Sequence, residues 1–143
     1  MFQPLTSQRD IVYWWPIVEK GFKKVHQYGY GDDDIDTTLS RILSGDRQLI
    51  LVIKDNMCIG FMTVKLIRSR YNKEDVNTLL VHHAYQFPNT KLFSLKKETN
   101  DFLNSYAKSM DCKLIKMYTT RRADKYWSSL GYTPTYTEYV KEI

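Results

Sequence analysis

Residues 48–67, QLILVIKDNMCIGFMTVKLI, constrain this chain more than any other stretch. Two apolar runs rich in β-branched residues are separated by the polar pair Asp55-Asn56, which is too short a link for anything but a tight turn. That pattern predicts a β-hairpin, so the remainder of the chain has to be arranged about a sheet. Gly60 lies inside the second run, where a glycine marks a bulge or a close backbone approach.

Before the hairpin the period is helical. Ile11, Tyr13, Trp14, Ile17, Val18, Phe22 and Val25 recur at helical spacing from Ser7 to about Tyr28. Pro16 inside this run either opens a new helix at its first turn or kinks a longer one. Asp33 or Asp34 can cap a second helix bearing Ile35, Leu39, Ile42 and Leu43. After the hairpin, SRYNKED is expected to be a polar loop and VNTLLVHHAYQF a third strand. Pro88 and Asn89 are a helix-start signal for a helix with Leu92, Leu95, Thr99, Phe102, Leu103 and Tyr106 on one face. DCKLIKMYT is expected as a further strand, RRADKYWSSLG as a short helix ended by Gly131, and TPTYTEYVKEI as a last strand. The order α-α-β-β-β-α-β-α-β predicts an α/β (α+β) chain: a mixed, mostly antiparallel central sheet covered by helices on both faces.

With 143 residues, 43% of them hydrophobic and 26% charged, the chain is expected to be a single folded domain spanning 1–143. No stretch has the apolar length of a membrane span, and Met1–Leu5 lack the regions of a signal peptide, so no membrane contact and a cytoplasmic location are expected. Cys58 and Cys112 form no CxxC and have no histidine cluster beside them, so two buried thiols and no metal are expected. Residues 91–125 hold nine lysines and arginines against four acids, which accounts for the whole net charge of +5. A basic segment of this kind serves a phosphate-bearing ligand, nucleic acid or an acidic protein, or is a solvated helix face. No base-stacking or groove-reading motif accompanies it, so sequence-specific nucleic-acid binding is not expected, while nonspecific DNA contact stays open.

The element order, with YWSSLGY before an aromatic-rich ending, resembles the GNAT superfamily of N-acetyltransferases, most strongly from about Leu49 onward. The resemblance implies a fold in which the fourth strand splays from its neighbour and opens a cleft for acetyl-coenzyme A, whose thioester an amine attacks directly. In that family's closing motif, Ala123, Gly131 and Tyr132 match. Thr120 falls at its asparagine and Trp127 at its tyrosine. That tyrosine often protonates the leaving thiolate, which an indole N–H cannot do. Tyr126 is one position, about 100°, around the helix from Trp127 and is the alternative acid. The family's cofactor loop, Gln/Arg-x-x-Gly-x-Gly/Ala, corresponds to QFPNTK, where Gln86 matches and Asn89 and Lys91 replace the small residues. Pro88 also removes one amide that could meet a pyrophosphate. The resemblance implies cofactor contacts from Val81, Gln86, Asn89, Thr90, Lys91, Arg121 and Arg122, and acetyl-coenzyme A as cofactor if the protein is active.

His82 and His83 lie on the strand that would line the cleft, and alternation lets at most one face a substrate. His83 is the candidate base; the competing reading makes both histidines ordinary strand residues. Asp32, Asp33, Asp34 and Asp36 border the acceptor side in the resembled fold and could attract a cationic amine, or could cap a helix in a solvated loop. Trp127 is assigned to the same substrate side, and Trp14 and Trp15 to an acceptor pocket, a partner surface or the core. Cations at Arg121, Arg122 and Lys125 near the start of a short helix oppose its dipole and point to an anionic partner. Two functions follow. One is a catalytically degenerate GNAT-like structural or assembly protein, resembling short GNAT-like proteins of tailed bacteriophages found in the virion interior and working with other subunits as a homo-oligomer or larger assembly. The alternative is an active N-acetyltransferase acting on a small-molecule or protein amine.

Overall fold

The computed structural model describes residues 1–25, 34–90, 95–117, 124–135 and 141–143. A five-stranded sheet carries the fold in the order β1 (Phe2–Leu5), β2 (Gln48–Lys54), β3 (Met57–Tyr71), β4 (Glu74–Gln86) and β5 (Leu114–Met117). The first three pairings are antiparallel and the last, β4 with β5, is parallel. Helices α1 (Gln8–Val25) and α2 (Ile35–Leu43) cover one face, and α3 (Lys96–Ser109) covers the other. A single turn of 3₁₀ helix (Pro88–Thr90) follows β4, and α4 (Asp124–Ser129) follows β5.

The hairpin forms as its sequence predicts. Asp55 and Asn56 take φ values of 51° and 62°, the left-handed pair that a two-residue I′ turn requires and that these side chains tolerate. The same geometry recurs where a polar loop was expected. Asn72 and Lys73 (φ 50° and 65°) make a second two-residue turn, so β3 and β4 run on to Tyr71 and from Glu74. Apart from the turn pair, the polar residues of SRYNKED therefore belong to strand ends facing one another across the hairpin, such as Arg70 and Asp75 at 3.9 Å.

Strand β1 was not expected. FQPL is too short to show alternation, and it is long-range pairing with Leu49–Val52 that makes it a strand. Pro4 is compatible with this because β1 is at the edge, where a missing N–H faces no neighbour. Helix α1 is one continuous helix with Pro16 inside it, so Pro16 does not open a new helix at its first turn. Asp34, not Asp33, caps α2, its carboxylate accepting the Thr37 amide at 2.7 Å. Helix α3 begins at Lys96 and not at Pro88, which instead starts the 3₁₀ turn. In the segment expected to be a last strand, residues 136–140 lie outside those described and the flanking Thr133–Thr135 have no regular structure.

Two packed layers result. On the α1–α2 side Val18, Phe22, Leu49, Leu51 and Phe61 are at most 1% exposed, while Ile50, Val64, Leu79, Val81 and Leu103 pack on the α3 side. Not every apolar residue of α1 joins this core: Tyr13 (75% exposed) and Ile17 (39%) face outward. The apolar spacing wraps more than half of the helix, and only the arc through Ile11, Trp14, Trp15, Val18 and Phe22 meets the sheet. At the sheet's far corner Asp46 accepts Lys65 at 3.2 Å with Arg41 at 3.6 Å, and the Lys65 hydrogen bond holds its carboxyl below the ordinary range. Cys58 is buried as expected and Cys112 only half-buried; both are free thiols, pushed up in pKa by burial.

Candidate functional site

The sheet changes character at one point on β4. Parallel pairing with β5 runs from Thr78–Leu114 to Val81–Met117, where β5 ends among the described residues. Strand β4 continues through His82 to Gln86, supported on its other side by β3. At that same point the β3–β4 register slips: Thr63 pairs with His83 and Val64 with Val81, so His82 is an extra residue, a β-bulge. A bulge breaks alternation, and the consequence is visible in the side chains. Val81 belongs to the α3-side core while His83, two residues on, contacts Phe22 of α1. Ideal alternation would have put both on one face. The rule used for His82 and His83 therefore does not apply here, and their rings lie 6.1 Å apart at 31°.

His83 is 5% exposed, edge-on to Phe22 at 5.1 Å, and its Nδ1 is 2.8 Å from the Thr63 hydroxyl. Thr63 is itself fully buried. The residue proposed as a base thus sits in the layer between α1 and the sheet, oriented by a hydroxyl that sequence inspection did not single out. Only the slipped register brings Thr63 opposite His83, so no local signal could have found it. Thr63→Val, which keeps the shape and deletes the hydroxyl, is expected to cost about 1–3 kcal/mol in urea unfolding because it removes a buried polar contact. A loss well under that range would show that the hydroxyl does not hold the imidazole.

A second bulge sits across the sheet. Val52 pairs with Gly60 and Ile53 with Cys58, leaving Ile59 as the extra residue. Both readings of Gly60 hold: it adjoins this bulge, and a Cβ there would stand 2.5 Å from the Tyr85 carbonyl oxygen. That close approach lets the Ile59 carbonyl reach the turn after β4, where it accepts the Phe87 amide at 2.9 Å and the Thr90 hydroxyl at 3.2 Å.

This turn is the stretch corresponding to a cofactor loop, and the polar groups of Gln86, Phe87 and Thr90 bond within it or to β3. The Thr90 amide donates to the Phe87 carbonyl at 3.0 Å, and the Thr90 hydroxyl lies 2.6 Å from the same oxygen. The Gln86 side-chain amide donates to the Thr90 carbonyl at 2.9 Å. Pro88 has no amide to offer. Thr90 is 5% exposed, so both its amide and its hydroxyl are spent on the turn itself. Anion binding by a loop needs amides directed outward. Residues 86–88 and 90 do not fit a pyrophosphate: the segment is a closed turn pinned to β3.

The other candidates separate. Val81 makes the last pair with β5 and is buried toward α3. Asn89 lies in the 3₁₀ turn and Tyr126 in α4, with side chains outside those described. Asp32, Asp33, Lys91, Arg121 and Arg122 fall outside the described residues. Asp34 is committed to capping α2. Trp127 is half-buried, its ring edge-on to Tyr132 at 5.8 Å. Gly131, at φ +89°, ends α4 as expected and lets the Tyr132 amide return to the Trp127 carbonyl at 3.1 Å. Among the described residues no group of three or more His, Cys, Asp or Glu could hold a metal, and no helix is long and apolar enough to cross a membrane.

This mixed, mostly antiparallel sheet covered on both faces is a fold shared with solved acetyltransferases of the GNAT family. The whole chain superposes on a GNAT family acetyltransferase from Staphylococcus aureus with a TM-score of 0.70 at 16% identity, covering 98% of that protein. It superposes equally fully on the aminoglycoside N-acetyltransferase AAC(6')-Iy in complex with CoA (TM-score 0.69, 12% identity, 98% of that chain). A predicted acetyltransferase with acetyl-CoA from Clostridium acetobutylicum gives a TM-score of 0.68 at 14% identity, covering 96% of that chain. No family model matches the sequence, and no curated protein matches it. The likeness is one of fold.

Proposed function

We propose that this chain is a GNAT-fold, acetyltransferase-like protein that has given up cofactor chemistry and serves as a structural or assembly subunit, of the kind found in a phage particle. The observation that carries this reading is the closed turn at 86–90. Two of its amides and the Thr90 hydroxyl are bonded within the turn or to Ile59, where a phosphate-binding loop would direct them outward. Two features support it independently. Trp127 stands where the resembled family has its acid, and His83 is packed against Phe22 beneath α1. Fold alone does not confer activity, so the site decides.

The overhang of β4 favours a second reading. His82–Gln86 extend past the described end of β5, and two of the proteins of similar fold were solved with CoA or acetyl-CoA. On that reading the chain is an N-acetyltransferase using acetyl-coenzyme A, with a small-molecule or protein amine as acceptor. Isothermal titration with acetyl-coenzyme A separates the two. The assembly reading expects no saturable heat up to about 1 mM, an affinity no tighter than roughly −4 kcal/mol. Micromolar binding would overturn it in favour of the enzyme.

A further inference from the structure

Strand β3 outruns the strand beside it. Its pairing with β2 stops at Gln48–Val64, whereas its pairing with β4 continues to Tyr71–Glu74. Beyond Val64 no strand lies on that side of β3 among the described residues. The turn sets the direction of the backbone groups. A two-residue hairpin turn is closed by a hydrogen-bonded pair, in this ribbon Tyr71 with Glu74, and such pairs alternate along an antiparallel ladder. Ile67 and Ser69 therefore bond to β4, and the amides and carbonyls of Leu66, Arg68 and Arg70 point to the open side. The side chains of these three share one face and are exposed, Leu66 by 53%. An open edge of this kind is a template for another strand.

The charges decide which strand. From Met57 to Tyr71, β3 carries Lys65, Arg68 and Arg70 and no acid. Lys65, at the inner end, is taken up by Asp46 at 3.2 Å. Arg68 bonds to Asn77 Oδ1 at 2.8 Å and to the Asp75 carbonyl at 3.2 Å. Arg70 lies 3.9 Å from the Asp75 carboxylate with 70% of its side chain exposed. Glu74 and Asp75 stand on β4, one strand spacing (about 4.8 Å) behind the open edge, with Lys73 in the turn beside them.

We infer that this edge takes up an extended acidic segment of another protein as an added strand, antiparallel to β3, with carboxylates opposite Arg70 and Arg68 and an apolar residue opposite Leu66. The partner then reads acid-x-acid-x-apolar from its N-terminal end. A second copy of this chain does not fit. Two β3 edges related by a twofold axis meet with Arg68 opposite itself, Arg70 opposite itself, or Arg68 opposite Arg70, and a register further inward runs the copy into Gln48 of β2. The cations that keep two copies apart thus admit an acidic strand. Duplex nucleic acid fits less well, because Glu74 and Asp75 on the ribbon's other strand oppose its phosphates. The inference deepens the assembly role proposed above, and the two fail separately: acetyl-coenzyme A binding would defeat that role and leave the open edge unchanged.

The probe is a synthetic peptide with threonine at every second position and glutamate, glutamate and valine, in that order, between them. It is labelled for fluorescence anisotropy and titrated with the full chain. Binding is expected to saturate on the order of 100 μM and to weaken about tenfold in high salt. Methylating the glutamate amides keeps the charge but removes N–H groups that meet β3, and is expected to cost at least about tenfold. Methylating the threonine amides, which face away from β3, is expected to cost much less. Arg70→Glu is expected to lose about tenfold, and Arg70→Pro, which deletes an amide on the open side, to abolish binding. Thermal melts establish that each variant folds, and the methylated peptides decide the matter without any variant. Equal binding of the glutamate-methylated peptide or of a twin with lysines for glutamates, or no saturation below about 1 mM, would overturn the inference. So would a dimer in sedimentation that Arg70→Glu dissociates, or a DNA duplex bound more tightly than the peptide and released by the same variant.

Discussion

Phe22→Ala is expected to destabilise the protein by about 3–5 kcal/mol, the largest effect of any single truncation considered for this chain. Phe22 is fully buried, and its ring meets Phe61 at 4.7 Å, His83 at 5.1 Å and Trp15 at 5.6 Å. Those three neighbours belong to β3, β4 and α1, so one side chain joins the helix to both strands of the central hairpin. Its neighbours are themselves ordered by other contacts, such as Tyr85 on Phe61 and Thr63 on His83, and cannot collapse inward to fill the space. The loss therefore contains a cavity term in addition to the transfer of a benzyl group. Urea unfolding gives the measurement, with the midpoint shifting and the slope unchanged if the denatured state is unaffected. A loss below about 1 kcal/mol would mean that α1 does not depend on this contact, contrary to its burial.

Gly60→Ala is expected to be costly for a different reason. Its backbone is not in the left-handed region, so no conformational strain is involved. The obstacle is the Tyr85 carbonyl, 2.5 Å from where the new methyl would stand, with the Gln86 Cα at 3.3 Å. Backbone cannot rotate away as a flexible side chain does, so β3 and β4 must separate where Gly60 pairs with Gln86. Overpacking of this kind costs about 1–3 kcal/mol and sometimes more. The strain would be delivered to the turn at 86–90, because Ile59, the residue before Gly60, supplies the carbonyl that anchors Phe87 and Thr90. Amide exchange at Phe87 and Thr90 is therefore expected to accelerate more than exchange at the Leu79–Val81 end of β4. Equal acceleration along the strand would show a global loss of stability and not a local one.

These two positions were not equally visible in the sequence. Phe22 announced itself: it lies on the helical period with Ile11 and Val18, and burying that arc against a sheet needs no knowledge of which sheet. Gly60 announced that something close would occur, though not what. The Asp55-Asn56 hairpin was equally plain, because a two-residue polar link between apolar runs has one favoured solution. The second turn, Asn72-Lys73, uses the same backbone geometry but is flanked by charged residues, so its composition suggested a loop. Length and cross-strand partners, which composition does not encode, made it a strand-to-strand turn.

The candidate site was harder to see for a physical reason. His83 was noticed as a titratable group on a cleft strand, but its environment depends on a one-residue slip between β3 and β4 that sets it opposite Thr63 and beneath Phe22. Likewise QFPNTK showed the loss of glycines, but only the Ile59 carbonyl, 27 residues before Gln86 in the chain, explains where the Phe87 amide goes. Local propensity and periodicity are properties of neighbours along the chain, and by themselves they determined the helices before the hairpin, the Asp55-Asn56 hairpin, the α1–sheet core and the mixed, doubly covered sheet, though not β1 or the turn at Asn72-Lys73. Register, bulges and the direction of each polar group are settled by contacts between distant segments, where a shift of one residue exchanges the faces of a strand. Tertiary structure alone therefore decided that a histidine is enclosed, that a loop is closed, and that Tyr13 and Ile17, on the helical period of α1, face outward.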